Sequence, residues 1–219
     1  MSTYIKFENV CKSFRQEEVL KGVNFDLKKG QIYGFVGRNG SGKTIIFKMI
    51  AGLMRPTSGE IFLEDVNMTY SKRFPKSIGA LIETPGFIPH YSGLKNLKIL
   101  NGLSSQSVAL EEVKESMRLV GLDPDNKKPV RTYSLGMKQK LGIAQAIMNH
   151  SELLILDEPM NGLDEESVKR MRQFFMTLKE ERGVTILLAS HNKEDIHILC
   201  DDLFHIVDGT LKLQNGVSV

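Results

Sequence analysis

The sequence predicts an α/β fold: a P-loop-type core with a parallel sheet, an antiparallel β portion at the N-terminus and an inserted helical subdomain. Three observations predict it. Short apolar runs alternate with helix-like segments early and late in the chain, as in parallel strands joined by helices. Period-two alternation near the N-terminus, clearest over Val23–Leu27, predicts antiparallel strands. Between residues 86 and 150 the pattern becomes helical.

The first part of the chain is predicted to be rich in strands. Its elements are a β-rich opening from Tyr4 to Leu27, the turn Lys28-Lys29-Gly30, the strand Ile32–Val36, the helix Ile45–Ala51, and the strands Glu60–Leu63 and Ile78–Ile82. Gly52 is expected to end the helix, since glycine readily takes the conformation found just after a helix. This part supplies the antiparallel portion and the first parallel strands.

The middle and last parts are predicted to be a helical insertion followed by a return to alternating strands and helices. The helical patterns are Leu94, Leu97 and Leu100, then Val108–Val120, then Met137–Met148. The later elements are the strands Leu153–Leu156 and Val184–Ala189, the helices Glu165–Arg182 and Glu194–Cys200, and a hairpin around Asp208-Gly209. We therefore expect one domain over residues 1–219, with residues 1–85 and 151–219 forming the core and residues 86–150 the helical subdomain.

Composition and charge are those of an ordinary soluble globular protein. The 219 residues are 41% hydrophobic and 25% charged, and the net charge of +3 gives no reason to expect a nucleic-acid partner. Cys11 and Cys200 match no metal-binding spacing, so reduced thiols are expected. No apolar stretch approaches the ~20 residues that span a bilayer. If the protein acts at a membrane, another chain must do the spanning.

A glycine-rich turn lies between the strand Ile32–Val36 and the helix that follows it. It consists of Gly37, Arg38, Asn39, Gly40, Ser41, Gly42, Lys43 and Thr44. Its glycines allow backbone amides to turn inward around phosphate oxygens, and the following helix points its positive end at the same place. Lys43 adds a cation, and the Thr44 hydroxyl suits Mg²⁺. A simple turn with a solvated lysine is the alternative, but the strand–loop–helix context favours a phosphate-binding P-loop.

Two adjacent carboxylates follow the apolar strand Leu153–Leu156. In a P-loop protein, the first acid, Asp157, is expected to hold Mg²⁺ together with Thr44, because ligands bind at the carboxyl ends of parallel strands. The second, Glu158, can orient and deprotonate an attacking water. Read alone, Asp157-Glu158-Pro159 would more often be a turn; the P-loop makes the catalytic interpretation the better one.

Two further segments have both a functional and a structural interpretation. Ser134 and Gly136 precede a helix and so mark a second anion site, although Ser134 could simply be an N-cap. His191 ends the strand Val184–Ala189 and could reach the same phosphate, although a lone histidine is usually structural.

An aromatic residue and an apolar loop are also ambiguous. Phe14 lies in a polar stretch, where its ring could stack on adenine or belong to a small satellite core. The loop from Gly86 to Tyr91 is unusually apolar, and either packs into the helical subdomain or forms a docking surface for a partner.

In this order, the motifs resemble those of the ATP-binding subunit of an ABC transporter over essentially the whole chain. The resemblance implies that Phe14 stacks on adenine, that residues 37–44 are the Walker A loop, and that Asp157 and Glu158 are the Walker B acid and catalytic glutamate. It also implies that residues 161–164 are the D-loop, that residues 134–139 are the signature motif, and that His191 contacts the γ-phosphate.

The resemblance further implies ATP and Mg²⁺ as ligands and a head-to-tail dimer. In such a dimer, each ATP lies between the P-loop of one chain and the Ser134 helix of the other. A separate membrane permease is implied as the second partner, with the subunit peripheral on the cytoplasmic face of the membrane.

Three positions depart from the usual family pattern. Leu135 replaces a signature glycine, Ile45 replaces a common second threonine beside the nucleotide, and Glu83 replaces the glutamine of the Q-loop. Glu83 could add a carboxylate beside Mg²⁺, or could be a solvated loop residue. The segments around Glu83 and Ser134 are similar to the exporter branch that includes bacitracin-resistance and lantibiotic self-immunity ATPases.

Three functions follow as hypotheses. The first is an ATPase subunit driving export of an amphipathic compound such as an antimicrobial peptide. The second is an ATP-gated binding module acting on ribosomes or DNA; the weak net charge and the single cassette disfavour it. The third is a regulatory ATP clamp that seldom hydrolyses, which the presence of Asp157, Glu158 and His191 disfavours.

Overall fold

The computed structural model describes residues 3–15, 17–69 and 77–215. Within these residues the chain forms ten strands and six α-helices. The strands are β1 (Ile5–Phe14), β2 (Glu17–Leu27), β3 (Ile32–Val36), β4 (Ser58–Leu63), β5 (Val66–Asn67), β6 (Ile78–Leu81), β7 (Leu153–Asp157), β8 (Thr185–Ala189), β9 (Asp202–Val207) and β10 (Thr210–Asn215). The helices are α1 (Lys43–Ile50), α2 (Gly93–Leu103), α3 (Leu110–Leu119), α4 (Leu135–Ile147), α5 (Glu165–Arg182) and α6 (Lys193–Leu199), with a 3₁₀ turn at Val130–Thr132.

The central sheet has the strand order β10-β9-β3-β8-β7-β6. All of its pairs are parallel except β10 with β9, which form a hairpin. Phe35 and Asp157 both pair with Ala189, so β3, β7 and β8 end at the same edge. The segments that follow these strands therefore meet beside one another, as expected at the carboxyl edge of a parallel sheet.

The second sheet is antiparallel, with the order β2-β1-β4-β5. A cluster of aromatic rings joins it to the central sheet: Phe25 stacks on Phe7 at 4.4 Å between ring centroids and also contacts Phe35 and Phe204. The predicted N-terminal antiparallel portion is confirmed, and it packs on one face of the parallel core.

Alternate residues of the central strands pack on opposite faces of the sheet. Along β7, Leu154 and Leu156 belong to the core shared with α4 and α5, whereas Leu153 and Ile155 belong to the core shared with α1 and the antiparallel sheet. Both faces are buried, which explains why this strand is a continuous apolar run rather than an alternating one.

The three helices α2, α3 and α4 lie between β6 and β7 in the chain, which confirms the predicted inserted helical part. Close approach fixes α4 against β6: a Cβ on Gly79 would lie 1.8 Å from the Ala146 carbonyl oxygen, and one on Gly142 would lie 2.7 Å from the Leu81 side chain. The helix that begins at Ser134 is thus held directly against the core sheet.

Most predicted elements are present, with some boundaries shifted for identifiable reasons. Helix α5 spans the predicted residues and ends at Gly183, which has a φ of 62°. Helix α3 begins at Leu110 rather than Val108, because the Asn101 side chain hydrogen-bonds both backbone groups of Val108 and holds it in the preceding turn.

Phe14 ends β1 and pairs with Glu17 of β2.

No helix in the described part of the chain is both long and apolar enough to cross a membrane.

Candidate functional site

The P-loop turns from β3 into α1. Gly42 precedes the helix with a φ of 111°, and a Cβ there would lie 2.6 Å from the Leu20 side chain, so both its conformation and its surroundings require glycine. The Lys43 side chain folds back over the loop, where Nζ donates hydrogen bonds to the carbonyls of Gly37 at 2.8 Å and Arg38 at 3.2 Å. The ammonium group therefore lies inside the curve of the loop.

Thr44 and Asp157 meet at the start of α1 and the end of β7. Thr44 Oγ1 donates to Asp157 Oδ2 at 2.7 Å. A hydroxyl beside a carboxylate is an oxygen pair of the kind that Mg²⁺ uses when substrate phosphates and waters complete its coordination. The described residues contain no group of three or more His, Cys, Asp or Glu that could hold a metal ion.

Ser41 gives a second indication that the loop fits an anionic ligand. Its Oγ is buried and makes no hydrogen bond to the described protein groups. A buried hydroxyl without a partner is costly, and a phosphate oxygen would accept its proton. The loop and the Thr44–Asp157 pair thus fit a magnesium-bound polyphosphate.

Glu158 follows Asp157 at the end of β7, where the backbone turns sharply. Its φ of 52° is unusual for a residue with a side chain, and its N–H donates to the Ala189 carbonyl at 2.9 Å. This turn directs Glu158 into the same cleft as Asp157, although adjacent residues on a regular strand point to opposite faces. Non-glycine residues with positive φ concentrate at functional sites.

The Glu158 carboxylate lies against His191. Oε2 accepts the His191 backbone N–H at 3.3 Å, and Oε1 lies 3.2 Å from His191 Nε2 without forming a hydrogen bond. Burial raises the pKa of Glu158; the charge and backbone N–H of His191 oppose that rise, and Asp157 adds to it. A carboxylate with a raised pKa is a better proton acceptor than an ordinary glutamate.

His191 also contacts the P-loop. Its Nε2 lies 3.0 Å from Asn39 Oδ1, so this histidine, two residues after β8, contacts both the loop after β3 and the acid after β7. The sequence suggested Asn39 only as part of the phosphate cradle; its contact with His191 depends on the folding of segments 152 residues apart.

The N-terminus of α4 packs against residues 161–164 of the same chain. The Ser134 hydroxyl caps the helix by accepting a hydrogen bond from the Met137 N–H at 3.2 Å. Ser134 is therefore an N-cap residue, as one of its two interpretations predicted. A Cβ on Gly136 would lie 2.5 Å from the Gly162 carbonyl oxygen, and Leu135 covers Gly162 from the other side. Glycine at 136 is thus required by this packing.

Gln139 links α4 to the end of β7. Its Nε2 donates to the Glu158 carbonyl at 2.8 Å, and the residue is buried. The sequence motif contains Gln139, but nothing in the spacing indicated this contact.

An open cleft of about 560 Å³ brings most of the expected residues together. Those that line it are Asn39, Gly40, Ser41, Gly42, Lys43, Thr44, Ile45, Glu83, Leu135, Lys138, Gln139, Asp157, Glu158, Asn161 and His191, with Thr84 and Pro85 beside them. Phe14, Gly37, Arg38, Ser134 and Gly136 do not line the cleft. Phe14 is 44% exposed at the end of β1, with Lys12 Nζ 5.1 Å from its ring centroid.

Glu83 has a partner on the P-loop helix. Its Oε1 lies 2.7 Å from Lys48 Nζ, and its φ is 60°. The acid at position 83 therefore pairs with a lysine of α1, a contact that the sequence did not indicate.

The parallel sheet, the P-loop, the two acids at the end of β7 and the histidine just after β8 define a P-loop nucleoside triphosphatase. The family model described as ABC transporter matches residues 20–161. The chain belongs to the ABC transporter family, as an ATP-binding cassette with ATPase activity. The fold class and the family resemblance inferred from the sequence are both confirmed.

Relatives place the chain within that family. It is 41% identical over 215 residues to the bacitracin transport ATP-binding protein BcrA of Bacillus licheniformis, covering 96% of this chain and 69% of BcrA. It is 36% identical over 210 residues to the lantibiotic transport ATP-binding protein SrtF of Streptococcus pyogenes, covering 96% and 90%. A dimeric ATP-binding cassette bound to ADP and Pi shares the fold, with a TM-score of 0.88, 21% identity, and 98% and 100% coverage.

Proposed function

We propose that this ATPase subunit powers a separate membrane permease that exports an antimicrobial peptide or a similar amphipathic compound. The observation that carries the ATPase part is the convergence of Lys43, Thr44, Asp157, Glu158 and His191 in one cleft. The export part is supported by the relatives named for bacitracin and lantibiotic transport. The subunit then works at the cytoplasmic face of the membrane, held there by the permease.

The residues of the cleft have different roles in binding and hydrolysis of ATP. The loop from Gly37 to Thr44 binds the triphosphate, with Lys43 leaving its carbonyl partners for phosphate oxygens. Thr44 and Asp157 hold Mg²⁺, which neutralises charge on the phosphates when bound. Glu83 remains a proposed contributor to the metal's surroundings, and Ile45 a flanking contact to the nucleotide.

Glu158 acts as the general base. It orients a water and accepts its proton as the water oxygen bonds to the γ-phosphorus and the bond to the β-phosphate oxygen breaks, giving ADP and phosphate. His191 contacts the γ-phosphate and keeps Glu158 directed at the water. Phe14 is proposed to stack on the adenine, for which its exposed ring is available.

A second copy or a paralogous subunit completes the site. In the proposed dimer, Ser134 and Gly136 of one chain close over the phosphates bound by the other, and residues 86–150 move as the helical subdomain relative to the core formed by residues 1–85 and 151–219. ATP favours closure because its γ-phosphate bonds to both chains, and hydrolysis removes that link.

The loop from Glu83 to Tyr91 is proposed to transmit this movement to the permease. The loop begins at the cleft. Phe87 packs on the core, whereas the Ile88 side chain is 42% exposed. The centroid of the Tyr91 ring lies 3.6 Å from Lys95 Nζ. Both interpretations of this apolar loop thus find support, with Phe87 anchoring it and Ile88 available for docking.

The test of the ATPase mechanism compares Glu158→Gln with Glu166→Gln, an exposed glutamate that pairs with Arg170 on the surface of α5. We expect Glu158→Gln to bind ATP normally but to hydrolyse it about 10²- to 10⁴-fold more slowly, while Glu166→Gln behaves as wild type. Undiminished turnover by Glu158→Gln would remove Glu158 from the mechanism. Export itself is tested by reconstituting the subunit with its permease in vesicles and measuring ATP-dependent movement of bacitracin or a lantibiotic.

A further inference from the structure

A buried ion pair joins α5 and α6 close in the chain to His191. Asp195 is fully buried on α6, and Arg172 of α5 is only 8% exposed. Arg172 donates from Nε and Nη2 to Asp195 Oδ1, at 2.8 and 2.6 Å. None of the roles described above uses this pair.

The second oxygen of Asp195 is bonded to the segment that carries His191. Oδ2 accepts the Ser190 hydroxyl at 3.1 Å, and Ser190 Oγ in turn accepts the Asn192 N–H at 3.1 Å. The network therefore holds the residues on both sides of His191. His191 itself contacts Glu158 and Asn39.

The charges of Arg172 and Asp195 are not needed for packing between α5 and α6. Burying a guanidinium and a carboxylate costs desolvation energy, and apolar residues of similar volume are often as stable in such a position. An ion pair instead fixes directions, because each of its hydrogen bonds requires a particular geometry. A network whose last bond reaches Ser190 fixes the backbone from which His191 extends.

We propose that Arg172 and Asp195 are positioning residues for hydrolysis, which hold His191 in contact with Glu158 through Ser190. The proposal rests on the role of His191 given above. Arg172 lies on the helix that begins directly after residues 161–164, so the same pair joins the D-loop helix to the His191 segment. The position of His191 thus depends on how α5 sits against α6.

The chain provides a matched control for the buried pair. Arg172 Nη2 also bonds the Glu194 carboxylate at 3.0 Å, but the Glu194 side chain is 65% exposed. Glu194→Gln therefore removes an ion pair of the same arginine while leaving Asp195 and Ser190 untouched. Such an exposed pair contributes little to stability.

The experiment is a double-mutant cycle on ATP turnover, using Asp195→Asn, His191→Ala and both together, with Glu194→Gln as control. We expect Asp195→Asn to lower kcat about 10- to 100-fold with little change in KM, because a small displacement of a catalytic group has effects of that size. In the His191→Ala background, Asp195→Asn should lower kcat by less than about twofold, since coupled residues are not additive. Glu194→Gln should keep the wild-type rate.

Several outcomes would overturn the proposal. They are an equal effect of Asp195→Asn with and without His191, a wild-type rate for Asp195→Asn, or an equal loss in Glu194→Gln. A wild-type rate for His191→Ala would instead overturn the role of His191 in the proposed function.

If Asp195→Asn does not fold, Ser190→Ala provides the same test, since it leaves the ion pair intact and removes only the link. We expect it to lower kcat at unchanged ATP affinity and unchanged Tm. A wild-type kcat would then overturn the proposal.

Discussion

At the scale of single residues, the buried carboxylate of Glu158 lowers the stability of the folded chain when it is ionised. Its carboxylate is partly buried, lies beside Asp157, and has one oxygen without a hydrogen bond in the described structure. The raised pKa means that the folded chain binds this proton more tightly than the unfolded chain. Stability is therefore lost as the pH rises above the ordinary value of 4.5 and through the folded-state pKa.

Replacing Glu158 with Gln should accordingly stabilise the nucleotide-free protein. We expect a gain of about 0.5–2 kcal/mol in the free energy of unfolding at pH 7.5, because a poorly paired buried charge is removed. The gain should shrink as the pH falls through the raised folded-state pKa and then below 4.5, where the carboxylate is protonated in both states. Urea unfolding across this range measures it; a loss of stability at pH 7.5, or an equal gain in Glu166→Gln, would contradict the explanation.

Lys48 offsets the negative charge of Glu83, which would otherwise repel a triphosphate bound in the cleft. An acid lining the cleft would repel phosphate, but its pairing with Lys48 at 2.7 Å offsets the charge. We expect Lys48→Met to weaken Mg²⁺-ATP binding about three- to tenfold, roughly 1 kcal/mol of uncompensated repulsion. The double variant Lys48→Met, Glu83→Gln should recover most of that affinity.

The control for this prediction is Lys29→Met. Lys29 pairs with Glu64 and Glu152, neither of which lines the cleft, so ATP affinity should not change. Fluorescent nucleotide titration at fixed ionic strength makes the comparison. A double variant as weak as Lys48→Met would show that Lys48 contacts nucleotide directly rather than through Glu83.

These residues also show which parts of the site the sequence could reveal. Lys43, Thr44, Asp157 and Glu158 follow strands whose apolar runs are easily recognised, so their meeting at one sheet edge was predictable. The partners Lys48 and Gln139 were not, because their contacts join segments 35 and 19 residues apart and depend on how the helical insertion packs.

At the scale of elements, α4 is positioned by glycines at its contacts with other elements. The fold class and the order of the helices could be inferred from periodicity, but this packing could not, because a glycine in a helical pattern ordinarily only weakens it. Gly136 and Gly142 are instead the places where the helix meets Gly162 and Leu81.

Gly136 and Gly102 provide a matched pair of helical glycines. We expect Gly136→Ala to destabilise the chain by about 1–3 kcal/mol, since its Cβ would lie 2.5 Å from a backbone oxygen. Gly102 of α2 has open space around its Cβ position, so Gly102→Ala should stabilise by up to about 1 kcal/mol. Thermal unfolding of both variants checks this; equal shifts of one sign would mean that α4 does not rest on residues 161–164.

At the scale of the whole molecule, the positions of the expected phosphate-binding residues are compatible with a site shared between two copies. Ser134 and Gly136 do not line the cleft formed by their own P-loop and Glu158. The helix N-terminus at Ser134 is nevertheless exposed, with the Met137 N–H capped by a serine hydroxyl. A phosphate of a second chain could be met by that helix end, as in the proposed head-to-tail dimer.

Mixing two inactive variants tests this arrangement directly. Lys43→Ala disables the P-loop, and Ser134→Asp keeps a good N-cap while placing a negative charge where the partner's phosphate would bind. If sites are shared, a mixed dimer has one site with both defects and one site with neither. Activity should then recover on mixing to at most about a quarter of the wild-type rate per chain, because random pairing puts half of the chains in mixed dimers with one intact site of two.

The control is Ser92→Asp, the same change at the N-cap of α2, where Ser92 accepts the Lys95 N–H at 3.3 Å. It should leave turnover unchanged, which separates the charge at Ser134 from a general effect of aspartate at a helix start. If Lys43→Ala and Ser134→Asp remain inactive after mixing under conditions where wild-type chains exchange, each chain must complete its own site, and closure would have to occur between the helical subdomain and the core of a single copy.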